Sequence, residues 1–229
     1  MGKATVLQQD TIQQSLEGAL FNQLATDHAY QVWAQNEGQE LPACITDNLS
    51  RTLRDYQEEA VRRFIWLFEN DRAQARHLLF NMATGTGKTV TLAALVLYLY
   101  SQGYRNFVFL VHQLNIKEQA ENVLTVARDK SGPNPKYLFN PKGVKINGQA
   151  VHIQSGAGFV RAAAPNPPAI INFIFTTTSG LYNALTVERE NELGLDDFAQ
   201  NPTVLLADEA HHLNVETRKS VTKRTRKNC

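Results

Sequence analysis

The chain has 229 residues, 43% of them hydrophobic, and 23 basic side chains stand against 22 acidic ones for a formal net charge of +1. That composition excludes a polar disordered chain, and the balanced charge excludes a protein held to nucleic acid by a global basic field, so any footprint on DNA or RNA must be local. Cys44 and Cys229 lie far apart without CxxC spacing, which excludes a disulfide framework or a cysteine zinc site and fits a reduced, cytoplasmic chain. No signal-peptide core follows Met1, and the longest apolar run, residues 92–100, is far below the ~20 residues of a membrane span.

In chain order, Ile12, Leu16, Leu20, Leu24 and Ala25 recur near helical spacing, with Val32 and Trp33 extending the stripe. They predict one or two amphipathic helices in an N-terminal segment, residues 1–50. Residues 36–42 read as a linker. Asp47 or Ser50 is placed to cap a helix from about Arg54 to Glu69, with Tyr56, Ala60, Phe64, Leu67 and Phe68 inward. An alternating pattern follows: strand 77–82, helix 88–101 stopped near Gly103, strand 106–111 and helix 115–128. Residues 129–168 form an irregular insert containing Pro133, Pro135, Pro141, Pro165, Pro167 and Pro168. Within it, Val144–Ile153 alternates around Asn147-Gly148 and predicts a β-hairpin. Strand 169–176, a short helix 179–186 and strand 203–207 complete the pattern. Helices between buried strands imply an α/β fold with a mostly parallel central sheet.

The segment between the first strand and its helix carries the chemistry. It reads Met82-Ala83-Thr84-Gly85-Thr86-Gly87-Lys88-Thr89. A loop that wraps a phosphate must bring backbone N–H groups close to oxygen, and Gly85 and Gly87 remove the side chains that would block them. The helix start adds free N–H groups and a partial positive charge. Thr84 to Thr89 would then hold a nucleotide, with Lys88 on the β- and γ-phosphates and the Thr89 hydroxyl on Mg²⁺. The strict pattern wants glycine where Met82 stands, and a glycine-bearing turn before a core helix is the alternative.

Downstream, Thr203–Ala207 leads into Asp208-Glu209-Ala210-His211. Carboxylates at the C-terminal end of a buried parallel strand sit where open α/β sheets bind ligands. Asp208 would hold Mg²⁺, and Glu209 would orient or deprotonate the attacking water, with Lys88 balancing γ-phosphate charge. A solvated acidic turn is the alternative.

Together these residues resemble the first RecA-like motor domain of superfamily 2 helicases and translocases. Residues 83–89 match that family's first motif, whose opening position is commonly not glycine, and residues 208–211 match its DEAH form. Leu53-Arg54-Asp55-Tyr56-Gln57 looks like the adenine-reading segment, with Gln57 on the base. Residues 107–113 and 173–179 look like the two strand-and-loop motifs that touch the nucleic-acid backbone, through His112, Gln113, Thr176, Thr177 and Thr178. Residues 78–85, the continuation His212-Leu213-Asn214 and the long insert are most similar to the Res subunit of type III restriction enzymes.

That resemblance implies an ATP- and Mg²⁺-dependent hydrolase acting on DNA rather than RNA, beside a modification methyltransferase subunit, without a membrane. It implies a motor domain over residues 51–215, and the basic residues beyond it, Arg218, Lys219, Lys223, Arg224, Arg226 and Lys227, read as a basic tail over residues 216–229. Later helicase motifs, a second motor domain and a nuclease are not recognisable, so the chain reads as the N-terminal part of a longer protein. An RNA helicase fragment and a nucleotide-binding fragment without turnover are the competing readings. Grooves and 2′-hydroxyls distinguish the first competitor, and ATPase assays the second.

Overall fold

The computed structural model describes residues 20–70, 78–111, 114–161, 167–186 and 195–207. These residues fall into two compact units, residues 1–41 with 54–77, and residues 42–53 with 78–229.

The first unit contains helices α1 (Leu20–Thr26), α2 (His28–Gln35) and α4 (Asp55–Asn70). Asp27 breaks the N-terminal stripe into two helices, because its carboxylate caps α2 by accepting from the Tyr30 N–H at 3.0 Å. Leu24, Tyr30, Val61 and Ile65 are buried. Half-buried Trp33 and Trp66 pack with ring centroids 5.4 Å apart. Ile12 and Leu16 lie outside the described residues. The inward stripe of α4 differs from expectation. Gln57, Val61 and Ile65 are buried, whereas Tyr56 is 44% exposed. Tyr56 turns outward and its hydroxyl accepts from the Arg54 guanidinium at 3.1 Å.

The second unit holds α3 (Ala43–Thr46), α5 (Lys88–Ser101), β1 (Asn106–Val111), α6 (Leu114–Thr125), β2 (Arg128–Asp129), β3 (Gly132–Pro133), β4 (Val144–Ile146), β5 (Gln149–Ser155), β6 (Ile170–Thr177), α7 (Thr178–Thr186), α8 (Leu195–Gln200) and β7 (Thr203–Ala207). The main sheet has the order β4-β5-β6-β1-β7. Its pairs are parallel except β4 with β5. The architecture is therefore mixed α/β with a mostly parallel sheet flanked by helices, the arrangement expected of a RecA-like domain.

β1 is buried along its whole length, as an apolar strand covered on both faces must be. Its side chains alternate between faces. Phe107 and Phe109 pack with tilted rings against Phe173 and Phe175 of β6, and Phe139 joins Phe173. Val108, Leu110 and Ile174 form a separate cluster, covered by Phe159, Leu181 and Phe198. α5 is buried almost all round, from Ala93 to Tyr100.

Three expectations need correction. Strand 77–82 is not formed among its described residues: 78–83 carry no strand and Leu79 is 80% exposed. A strand exists only through a hydrogen-bonded neighbour, and an apolar run does not supply one. The helix expected to reach residue 128 stops at Thr125. The Asn134 amide donates to the carbonyls of Asn122 (3.0 Å) and Val126 (2.8 Å), which satisfies the helix end early. The insert is more ordered than a loop with a hairpin. The hairpin forms, with Asn147 at φ 53° and Gly148 at φ 77°, but its second strand joins the main sheet as the parallel partner of β6.

Candidate nucleotide-binding site

The loop from Ala83 to Gly87 is built from two glycines in left-handed conformations. Gly85 has φ 79° and Gly87 has φ 83°. Other residues strongly disfavour that region, so glycine at both positions is a backbone requirement. Between them, Thr86 closes a tight turn, its N–H and hydroxyl both donating to the Ala83 carbonyl at 3.3 and 2.6 Å. Thr84 and Gly85 are exposed, and Thr86 to Thr89 are half-buried.

Gly87 is also the residue preceding α5 and, being glycine, has no side chain of its own to cap that helix. The Lys88 ammonium donates back across the loop to the Met82 carbonyl at 3.3 Å. A cation is thus held over the loop at a helix N-terminus, an arrangement suited to a polyanion. Thr89 occupies the first turn of the same helix. The apolar continuation of α5 anchors the loop to the core.

Gln57 is buried, and its side-chain oxygen accepts from the Arg54 N–H at 2.9 Å. This is half of a capping box: the third residue of α4 reaches back to the residue before the helix. It replaces the predicted cap. Asp47 instead follows α3, and the Ser50 hydroxyl donates to the Tyr137 carbonyl at 2.6 Å. The backbone N–H can only donate, so it fixes which end of the Gln57 amide is oxygen.

Thr176 and Thr177 end β6, and Thr178 begins α7. The parallel register sets Thr176 beside Leu110 and Thr177 beside Val111, and sets Ala207 beside Leu110. The C-terminal ends of β1, β6 and β7 therefore lie along one edge. The Thr177 hydroxyl accepts from the Gly180 N–H at 3.0 Å. A Cβ on Gly180 would meet the hydroxyl oxygens of Thr176 and Thr177 at 2.6 and 3.1 Å. Gly180 is the residue that motif reading overlooks; its only signal is a threonine three positions earlier, the spacing of a hydroxyl cap.

His112, Gln113, Asp208, Glu209, His211 and the basic tail lie outside the described residues. Among the described residues no group of histidine, cysteine and carboxylates could hold a metal, and no helix is long and apolar enough to cross a membrane.

Residues 50–229 match the family described as "Type III restriction enzyme, res subunit". The chain belongs to the type III restriction enzyme Res subunit family. Among Res proteins, it is 35% identical over 186 residues to the probable type III restriction-modification enzyme HindVIP Res subunit of Haemophilus influenzae (strain ATCC 51907 / DSM 11121 / KW20 / Rd). The alignment covers 78% of this chain and 34% of that protein, so the chain spans about a third of the length of that Res relative. No solved structure matches it.

Proposed function

We propose that this Res-family chain is the ATP-binding motor portion, over residues 51–215, of a cytoplasmic DNA-acting helicase or translocase that works beside a modification methyltransferase. One observation carries the reading: two left-handed glycines form the loop, and the second of them, Gly87, leads directly into the start of α5. The family match supports DNA over RNA.

In this reading Thr84 to Gly87 wrap the phosphates with backbone N–H groups, and Lys88 exchanges the Met82 carbonyl for phosphate oxygens. The Thr89 hydroxyl and Asp208 hold the metal. Glu209 orients or deprotonates the attacking water, and Gln57 contacts adenine. His112, Gln113, Thr176, Thr177 and Thr178 contact the DNA backbone. Mg-ATP supplies the transferable phosphoryl group and the charge that neutralises it. The chain's own residues position that group and exclude competing geometries.

Calorimetry with Mg-ATP tests the site. Lys88→Ala should weaken binding by about 10²-fold, the scale of one or two charge-assisted hydrogen bonds. Unchanged affinity in a folded variant would remove the loop from the site.

A further inference from the structure

The chain has two tryptophans, and both stand in one place. Trp33 of α2 and Trp66 of α4 line an open concavity of about 730 Å³ within the first compact unit. The pair is held from two sides. Tyr30 is buried, and its ring centroid lies 6.1 Å from each indole. Its hydroxyl donates to the Glu59 carboxylate at 2.9 Å, which also accepts from the Arg63 guanidinium at 2.7 Å. Gly38, also buried, closes against Trp33. Its N–H donates to the Trp33 carbonyl at 2.8 Å, and a Cβ added there would run into three carbons of the Trp33 ring.

The other lining groups share one electrostatic character. None of the described residues that line the concavity is basic. Indole faces are negative at their centres. Glu37 lines the concavity, is exposed, and makes no ion pair among the described residues. Asn36 and Asn70 each donate from the side-chain amide to the carbonyl four residues back, Val32 at 2.6 Å and Trp66 at 3.0 Å, which leaves the side-chain oxygen as an acceptor. Val32 is 48% exposed and adds an apolar edge. Aromatic faces, a carboxylate, amide oxygens and an apolar edge suit arginine. Its guanidinium stacks on indole and donates through five N–H groups, and its apolar stem needs cover. The same unit already uses this chemistry, for the Arg63 guanidinium lies 3.7 Å from the Phe21 ring centre. A nucleic-acid phosphate would meet the Glu37 carboxylate as a like charge, which disfavours DNA or RNA here. The volume falls in the range of about 300–1,000 Å³ that holds drug-sized ligands, so residues flanking an arginine can enter with it.

We propose that the concavity between Trp33 and Trp66 is a docking site for an arginine side chain presented by a partner polypeptide. Trp33 and Trp66 take the guanidinium plane, and Glu37 supplies the opposite charge. Gly38 is a positioning residue, because only a residue without Cβ lets the Trp33 ring lie where it does. The proposal stands apart from the nucleotide site and uses none of its residues.

The test titrates the full chain with a capped Gly-Arg-Gly peptide and with its citrulline analogue, which keeps the shape and loses the charge. Because the chain has two tryptophans, its two indole N–H signals in NMR and its tryptophan fluorescence read this site alone. The arginine peptide should shift both signals saturably and bind about tenfold more tightly than the citrulline peptide. Glu37→Gln should weaken the arginine peptide about fivefold and flatten its salt dependence. Gly38→Ala should displace the Trp33 ring and weaken binding about tenfold, with urea unfolding to show that the variant is folded. Equal affinity for the two peptides, or no saturable shift at about 10 mM arginine peptide, overturns the site. Unaltered affinity in Glu37→Gln overturns the charged contact and with it the choice of a cation. Unaltered affinity in folded Gly38→Ala overturns the positioning role. Oligothymidylate that quenches the fluorescence and displaces the arginine peptide would overturn the proposal and assign the tryptophans to nucleobases.

Discussion

Replacing Gly85 by alanine separates backbone strain from steric fit. Gly85 has φ 79°, and a Cβ built there meets nothing within 4 Å. Alanine therefore fits, and the cost is confined to holding a side-chain-bearing residue in the left-handed region, about 1–2 kcal/mol. That is roughly 5- to 30-fold in an equilibrium constant. Where the cost appears depends on which state holds the conformation. If the loop keeps φ near 79° without nucleotide, urea unfolding should show the whole loss and ATP affinity should be unchanged. If the variant relaxes when empty, stability should survive and affinity should fall by the same factor, because binding must restore the turn. The two losses should sum to about 1–2 kcal/mol. Gly85→Asn should lose less, since asparagine tolerates this region better. Wild-type stability together with wild-type affinity in Gly85→Ala would refute the argument that the loop needs its left-handed turn.

Asn172→Leu should cost about 3 kcal/mol by urea unfolding, because it deletes three hydrogen bonds in a fully buried site: to Asn106, to the Gly158 carbonyl and from Gln154. A loss below about 1 kcal/mol would mean that these groups find other partners. Nucleic-acid binding by residues 1–229 should be weak, with a log affinity against log salt slope no steeper than about −3, because few phosphates are contacted. Tight, sequence-specific binding at physiological salt would contradict that. Steady-state phosphate release by residues 1–229 should be slow, since an arginine finger is worth about 10³–10⁵ in rate and the residues proposed for this site, Lys88, Asp208 and Glu209, include none. Robust DNA-stimulated turnover, lost in Glu209→Gln, would show that residues 1–229 suffice.

The parts of the fold set by local chemistry were legible in the sequence. Strands 106–111 and 203–207 and helix 88–101 fall at their predicted bounds, because each is a largely apolar run. The Asn147-Gly148 hairpin was equally clear, since its backbone needs residues that accept positive φ. What escaped depends on distant partners. Residues 78–83 are mostly apolar but form no strand, and the end of α6 is set by Asn134 from the insert. The union of β5 with β6 could not be read from the hairpin alone. At the candidate site, the glycine pair and Lys88 were visible as a motif. The Gln57 capping bond and the closeness of Gly180 to the Thr176 and Thr177 hydroxyls depend on how the chain folds back on itself, which no motif spells out.

The strand order has a consequence for synthesis of the chain. β1 pairs with β6 on one side and β7 on the other, and residues 112–202 separate β1 from β7. Until β7 emerges, the long edge of a strand whose residues all end up buried stays open, and closing so distant a pairing is slow. An open apolar edge is a template for the wrong partner. A nascent or proteolysed chain ending before Thr203 should therefore self-associate through β1, which makes β7 a guard against aggregation as well as the carrier of Asp208 and Glu209.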